Sequence, residues 1–150
     1  MDRVVFDTVV FVRALHNRRS HWARLVFERA DDYRLVVSPP VVAEVVGVLR
    51  RPELARRFTT LPGRDPVAVL AILAGAMVVE IDAAAIPRVS RDPNDDKFLA
   101  TAVVGGASSL INEDNDLLVL AEYEGTRVVD AATFLRALDE REAADARNGA

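Results

Sequence analysis

The sequence RDPNDDKFLATAVVGGASSLINEDNDLLVL, residues 91–120, decides the fold that we predict for this chain. The apolar run KFLATAVV predicts a helix, the pair GG ends it, and SSLIN is typical of a short buried strand. Five aspartates and one glutamate surround these two elements. They lie at Asp92–Asp96 and Glu113–Asp116, the two places where the chain enters a helix. Carboxylates at such junctions beside a sheet edge are well placed to hold a hard divalent cation.

Helix capping is the competing explanation for the first cluster. Asp92 suits an N-cap, Pro93 suits the first helical position, and Asp95 falls where a capping-box acid would sit. On this interpretation Asp92 and Asp95 are structural. Asp96 is then available for chemistry, because capping is complete without it.

Two further junctions carry acids that capping does not fully explain. After the later strand, Asn112 or Asp114 is able to cap the next helix, which leaves one of Asp114 and Asp116 without that role. Asp7 ends the apolar strand Arg3–Asp7. An ionisable group at the end of a buried strand is unfavourable unless it is paired or bound to metal, although Asp7 also suits an N-cap.

The rest of the chain alternates short strands with helical segments, and Glu44 stands alone among valines in one of those helices. Alternation of this kind predicts a three-layer α/β/α sandwich with a mostly parallel central sheet. We predict one domain over residues 1–143 and a disordered tail over 144–150. The other predicted strands are Tyr33–Val37, Met77–Ile81 and Arg127–Val129, and the other helices are Trp22–Ala30, 41–51, Glu53–Leu61, Asp65–Ala76 and Ala131–Ala143.

Composition excludes several classes of protein. The 150 residues contain no cysteine, so disulfide frameworks and thiolate metal sites are absent. His16 and His21 are the only histidines, too few for a histidine-rich zinc site. No apolar run approaches the ~18 residues of a membrane span, and no cleavable signal is visible. We therefore expect a cytoplasmic protein that does not enter a membrane.

Charge is distributed unevenly along the chain. The net charge is −4, which argues against bulk binding of nucleic acid. Residues 13–64 nevertheless hold eleven basic and five acidic side chains, whereas residues 65–150 hold seven basic and sixteen acidic ones. A basic half facing an acidic, metal-binding half would favour a phosphodiester substrate. The competing explanation is a codon bias toward arginine, since Lys97 is the only lysine among nineteen basic residues.

Four segments in this order resemble the PIN domain family. They are VVFDT at the start, the glutamate in SPPVVAEVVGVL, then DDKFLATA, and finally LINEDNDLLVL. The resemblance covers about residues 3–138, and it is strongest to the VapC-like toxins of toxin–antitoxin pairs. It implies a ribonuclease in which acidic side chains bind Mg²⁺ or Mn²⁺ and a water activated by the metal attacks the phosphodiester.

The resemblance also implies roles for particular residues and partners. The oxygen-only ligand set agrees independently with Mg²⁺ or Mn²⁺. RNA is the implied substrate. A cognate antitoxin protein and a second copy of the chain are the implied partners. The expected metal-binding and catalytic acids are Asp7, Glu44, Asp96 and Asp114, and Asp116 is expected to support the metal. Thr8 and Asn112 are expected to hold these acids in place from outside the metal's direct ligands. The residues expected along the RNA path are Arg13, Arg18, Arg19 and Trp22.

The chain departs from the family pattern in two places. The family usually opens Asp-Thr-Asn, whereas Val9 follows Thr8 here and cannot hydrogen-bond through its side chain. Near the fourth acid the family usually has threonine or serine followed by a small residue, and this chain has Asn112 and Glu113. A dehalogenase-type phosphatase would need an aspartate where Val9 stands. The remaining alternative is a PIN-like fold with weakened catalysis that serves as an RNA- or protein-binding module.

Overall fold

The computed structural model describes residues 1–54, 66–82, 84 and 86–149. Within this part of the chain, six strands form one sheet in the order β3-β2-β1-β4-β6-β5. All neighbouring pairs are parallel except β5 with β6. The predicted α/β fold with a mostly parallel sheet is confirmed. The strands are β1 Arg3–Phe6, β2 Arg34–Val37, β3 Met77–Val78, β4 Ser109–Ile111, β5 Glu122–Tyr123 and β6 Thr126–Val129.

Helices connect the parallel strands and pack on both faces of the sheet. Single 3₁₀ turns precede β2, at Ala30–Asp32, and α5, at Pro93–Asp95. No helix in the described residues is long and apolar enough to cross a membrane. The helices with their bounds are α1 Thr8–His16, α2 His21–Ala23, α3 Pro39–Leu49, α4 Pro66–Ala74, α5 Asp96–Val104, α6 Asn115–Leu118 and α7 Ala131–Asn148.

Alternation along β1 divides the interior into two cores. Val4 and Phe6 point into the first core, with side chains from α1, α3, α4 and α7. Val5 points to the opposite face, where it packs with Phe98 and Leu99 of α5. Successive strand residues face opposite sides of a sheet, so a strand buried on both faces must be continuously apolar. This explains why β1 sits at the centre of the sheet.

The register between β1 and β4 fixes the geometry of the sheet edge. Phe6 lies opposite Ile111, and the Asp7 N–H donates to the Ile111 carbonyl at 2.9 Å. Because the two strands are parallel, Asp7 and Asn112 leave the sheet side by side at its carboxyl edge.

The structure differs from the predicted elements in several places. After α2 the chain continues as a wider π-helical turn, Arg24–Glu28, instead of an α-helix to Ala30. β3 contains only two residues, and the short strand β5 was not predicted. The predicted helix Glu53–Leu61 and the turn after it lie largely within 55–65, outside the described residues.

The C-terminal helix is longer than the sequence indicated. We predicted a helix ending near Ala143 and a disordered tail, but α7 continues to Asn148. No glycine or proline interrupts the helix before Gly149, and ion pairs hold it to the body of the protein. Arg141 pairs with Asp2 at 2.6 Å, and Arg29 pairs with Glu142 at 3.3 Å. These pairs replace the apolar contacts that end at Leu138.

Gly105 provides a test of the packing between α5 and β2. A Cβ atom at this position would lie 2.5 Å from Cγ1 of the fully buried Val36. We therefore predict that Gly105→Ala lowers the free energy of unfolding by about 1–3 kcal/mol. Urea unfolding measures the change. Combining Gly105→Ala with Val36→Ala should remove much of the destabilisation that the clash causes.

Gly47→Ala is the matched control for this prediction. A Cβ atom at Gly47 meets nothing within 4 Å and lies within α3, so this substitution should stabilise the protein by about 0.5–1 kcal/mol. Equal destabilisation by both substitutions would contradict the proposed clash with Val36.

Candidate functional site

Asp7 lies at the carboxyl end of β1 and at the N-cap position of α1. Its side chain makes no capping hydrogen bond, so capping does not account for it. The pKa of Asp7 is raised to about 6, chiefly by burial and also by the charges of Glu44 and Asp114, while the backbone N–H groups of Thr8 and Val9 lower it in part. A carboxyl group with these surroundings holds its negative charge poorly when no cation is near.

Asp114 follows the neighbouring strand, β4, and points toward the same edge. Its Oδ1 accepts a hydrogen bond from the Asp116 N–H at 2.9 Å, which caps α6. Asn112 in turn accepts from the Asp114 N–H at 3.0 Å through Oδ1. Asp114 therefore caps a helix and also adds negative charge beside Asp7.

Asp95 is the acid of the first cluster that joins this group. It ends the 3₁₀ turn before α5, and its Oδ2 is buried without a hydrogen-bond partner in the described structure. Burial raises the pKa of Asp95 to about 7, and the charges of Asp7, Asp92, Asp114 and Glu44 raise it as well. Asp7, Asp95 and Asp114 therefore form one cluster of acids whose charges act on one another.

Asp96, which the sequence favoured for chemistry, points elsewhere. Its Oδ1 accepts from the N–H and the hydroxyl of Ser90, at 2.8 and 2.7 Å, and its Oδ2 accepts from the Val89 N–H at 3.2 Å. The side chain is 2% exposed and borders an apolar groove with Leu99 and Tyr123. Asp96 thus fastens the segment before α5 to the helix.

The burial pattern of α5 contains a signal that separates the two aspartates. Phe98, Leu99 and Ala102 are fully buried and form the face that contacts the sheet. Asp95 lies three residues before Phe98, four before Leu99 and seven before Ala102, which is the spacing of one helix face, although Asp95 itself is only partly buried. Capping explained Asp95 in the sequence, but its capping role is absent, because Asp92 accepts from the Asn94 N–H instead.

Glu44 is held by two side chains at the edge of the cluster. The buried Thr8 hydroxyl donates to Oε2, and the Lys97 ammonium lies 2.6 Å from Oε1. Glu44 and Lys97 are 28% and 19% exposed at their side chains, so the pair is largely removed from water. Sequence analysis gave Lys97 no role at the candidate site.

The remaining predicted residues lie around this centre. Asp116 is about half exposed and lies 3.8 Å from Arg91, outside the group of acids that influence Asp7 and Asp95. Asn112 is fully buried, and its Nδ2 has no partner among the described residues.

The predicted RNA-binding residues are largely engaged with aromatic rings. The Arg13 guanidinium lies 4.8 Å from the centre of the Trp22 ring, and His21 packs against the same ring at 3.9 Å. Arg18 lies over Phe27 at 4.3 Å, and Arg19 is exposed.

Glu113 explains one departure from the expected sequence pattern. Its Oε1 accepts from the Trp22 indole N–H at 2.8 Å and from the Ala131 N–H at 3.0 Å. Glu113 therefore ties α2 to the start of α7, next to Asp114.

The side chains at the sheet edge have the chemistry that a hard divalent cation needs, but their oxygen atoms are not arranged around a common point. All candidate ligands are oxygen atoms, Asp95 offers a buried free one, and the pKa values of Asp7 and Asp95 are raised by burial and by neighbouring acids. Within the described residues, no three histidine or acidic side chains already surround a common point where an ion would sit. Lys97 pairs with one of the acids, Glu44.

The parallel sheet and the acidic site at its carboxyl edge define an α/β protein of the doubly wound class. A sequence profile of the PIN domain matches residues 3–116. The chain belongs to the PIN domain family. No curated protein matches the chain.

Two solved structures share the fold. VapBC2 from Rickettsia felis, bound to a promoter DNA fragment, matches with a TM-score of 0.58 and 11% identity, covering 85% of this chain and 98% of that one. DNA-bound VapBC from Salmonella typhimurium matches with a TM-score of 0.52 and 18% identity, covering 87% and 99%. At these identities the likeness establishes the fold alone.

The raised pKa of Asp7 predicts how the stability of the metal-free protein depends on pH. A carboxyl group whose pKa is higher in the folded state stabilises that state below its ordinary value of 3.8, and this contribution is lost as pH rises through about 6. Relative to Asp7→Asn, we expect the wild type to lose about 2–3 kcal/mol of unfolding free energy across this range.

Urea unfolding with chelator at pH 4 to 8 measures this difference. Asp31→Asn, at an exposed aspartate in the turn Ala30–Asp32, is the control and should leave the pH profile unchanged. Parallel profiles for the wild type and Asp7→Asn would show that Asp7 titrates as an ordinary aspartate.

Proposed function

We propose that this protein is a ribonuclease that depends on Mg²⁺ or Mn²⁺. The observations that carry the proposal are the placement of Asp7, Asp95 and Asp114 at two adjacent strand ends and one helix start, the buried Asp95 oxygen without a partner, and the pKa values of Asp7 and Asp95, which burial and neighbouring acids raise. Membership of the PIN domain family supports it. Carboxylates gathered without compensating charges are unfavourable, and a bound cation would neutralise them.

The proposed metal ligands are Asp7, Asp95 and Asp114, with Glu44 beside them. Asp95 takes the place that the sequence assigned to Asp96, because the Asp96 oxygens already accept three hydrogen bonds. A bound divalent ion would supply Lewis-acid activation of water and neutralise charge on the reacting phosphate.

The residues behind these acids hold them in position. Asn112 fixes the backbone of Asp114, and Thr8 orients Glu44. Because the ligands must be ionised to bind metal, we expect metal binding to release protons and to strengthen as pH rises through about 6 and 7, the pKa values of Asp7 and Asp95. Asp116 contributes at most from the periphery, beside Arg91.

The substrate in this proposal is RNA. The basic residues of the first half favour phosphate, and Arg13 and Arg19 are exposed to solvent. Trp22 is proposed to border the RNA path. Its indole N–H donates to Glu113, and Arg13 and His21 pack against its ring. Arg18 extends the same basic surface toward Phe27.

We further propose that the protein is the toxin of a toxin–antitoxin pair. Two solved structures with this fold are VapBC complexes bound to DNA, which supports a cognate antitoxin protein as the partner. A homodimer and a cytoplasmic location complete the proposal.

Isosteric changes at the two adjacent aspartates separate the metal ligand from the structural residue. Asp95→Asn should weaken Mn²⁺ binding by more than the ~10–100-fold typical of losing an outer-shell group, and should abolish RNA cleavage. Asp96→Asn should retain metal affinity but lower the unfolding free energy by about 1–3 kcal/mol, because it weakens charge-assisted hydrogen bonds to Val89 and Ser90.

Calorimetry with Mn²⁺, cleavage of a labelled RNA and urea unfolding provide the three measurements. The opposite result, in which Asp96→Asn loses metal binding and Asp95→Asn keeps it, would identify Asp96 as the metal ligand. A wild type that cleaves RNA equally well with chelator would refute metal dependence. Tight RNA binding without cleavage at any Mn²⁺ concentration would favour the alternative of a binding module.

Val9 provides a second test, because the resemblance implies a hydrogen-bonding asparagine there. Val9 packs against the first core and offers no polar atom to the neighbouring acids. We predict that Val9→Asn raises Mn²⁺ affinity or cleavage by up to ~10–100-fold, the usual effect of an outer-shell hydrogen bond.

Val9→Ala controls for the loss of valine packing and should not improve either property. If both variants behave alike in a Mn²⁺ titration, position 9 does not influence the metal site.

A further inference from the structure

Lys97 and Glu44 form an ion pair inside the acidic site. The Lys97 Nζ lies 2.6 Å from Glu44 Oε1, and the Thr8 hydroxyl donates to Oε2. Both oxygens of this carboxylate are therefore engaged by groups of the protein itself. Asp95, two residues before Lys97, keeps a buried oxygen without any partner. The lysine thus neutralises Glu44 and leaves the aspartates uncompensated.

The position of Lys97 is not explained by the helix that carries it. Lys97 is the second residue of α5, and positive charge is unfavourable near the N-terminus of a helix. It is also the only lysine among the nineteen basic residues of the chain. Lysine differs from arginine in carrying a compact point charge on a flexible stem, which suits a position that a small cation would otherwise occupy.

We propose that Lys97 is a built-in cation that limits this centre to a single metal ion. Its ammonium pairs with Glu44, so this carboxylate would not be available to hold a second divalent ion, whereas Asp7, Asp95 and Asp114 would hold the first. Two-metal sites hold their ions about 3.5–4 Å apart through shared carboxylates. A lysine paired with Glu44 removes one such carboxylate and repels a second ion. This inference rests on the proposed metal-dependent function.

A purely structural ion pair is the alternative, and the number of bound ions distinguishes the two. In the structural case, removing the lysine would change stability without creating a second metal site. In the proposed case, removing its charge frees Glu44 and abolishes the repulsion. The neutral variant would then bind two ions, and an arginine variant would still bind one.

The experiment titrates metal-free protein with Mn²⁺ in a calorimeter and records electron paramagnetic resonance spectra of the loaded samples. The variants are Lys97→Met, which removes the charge, Lys97→Gln, a second neutral variant with a polar side chain in case the first does not fold, and Lys97→Arg, which retains the charge. Thermal unfolding establishes that each variant is folded.

We expect one Mn²⁺ per wild-type chain with a spectrum of isolated ions. We expect two per chain, with spin coupling between them, in the folded neutral variants, and one in Lys97→Arg. A wild type that binds two ions, or a folded neutral variant that still binds one, would overturn the role of Lys97 while leaving the metal-dependent function standing. A wild type that binds no Mn²⁺ would overturn the proposed function itself.

Discussion

The parallel pairing of β1 with β4 is the interaction on which the candidate site depends. Phe6 lies opposite Ile111, and the hydrogen bond from the Asp7 N–H to the Ile111 carbonyl extends this register to the sheet edge. Both strands are central and, apart from Arg3, buried, so a shift by one residue would turn every apolar side chain to the wrong face. The two cores therefore hold the register, and the register brings Asp7 to the same edge as Asn112 and Asp114.

Gathering carboxylates at this edge is unfavourable because their negative charges repel one another. Contacts within the site offset part of this repulsion. Lys97 offsets Glu44, and the backbone N–H groups near Asp7 lower its pKa in part. The raised pKa values of Asp7 and Asp95 show that these contacts are not sufficient. Proteins often place such conflicts at functional sites, where a ligand resolves them. A divalent cation would resolve this one.

Much of the fold could be predicted because its signals are local. The apolar strands, the proline at the start of α3 and the glycines after α5 each act within a few residues, and each was predicted near its observed place. The departures have non-local causes. The extension of α7 depends on ion pairs with Arg29 and Asp2, and the short strand β5 exists only by pairing with β6.

The sequence by itself determined the α/β class, the order of the strands along the chain and the presence of acids at their ends, because periodicity and capping residues act over one or two turns. Only the tertiary structure gives Asp95 and Asp96 different surroundings, with a buried oxygen left without a partner on Asp95 and three hydrogen bonds accepted by Asp96. Adjacent residues near a helix start point about 100° apart, so the surroundings of each depend on how α5 packs. The same packing brings Lys97 to Glu44, a contact across fifty-odd residues that no local pattern contains.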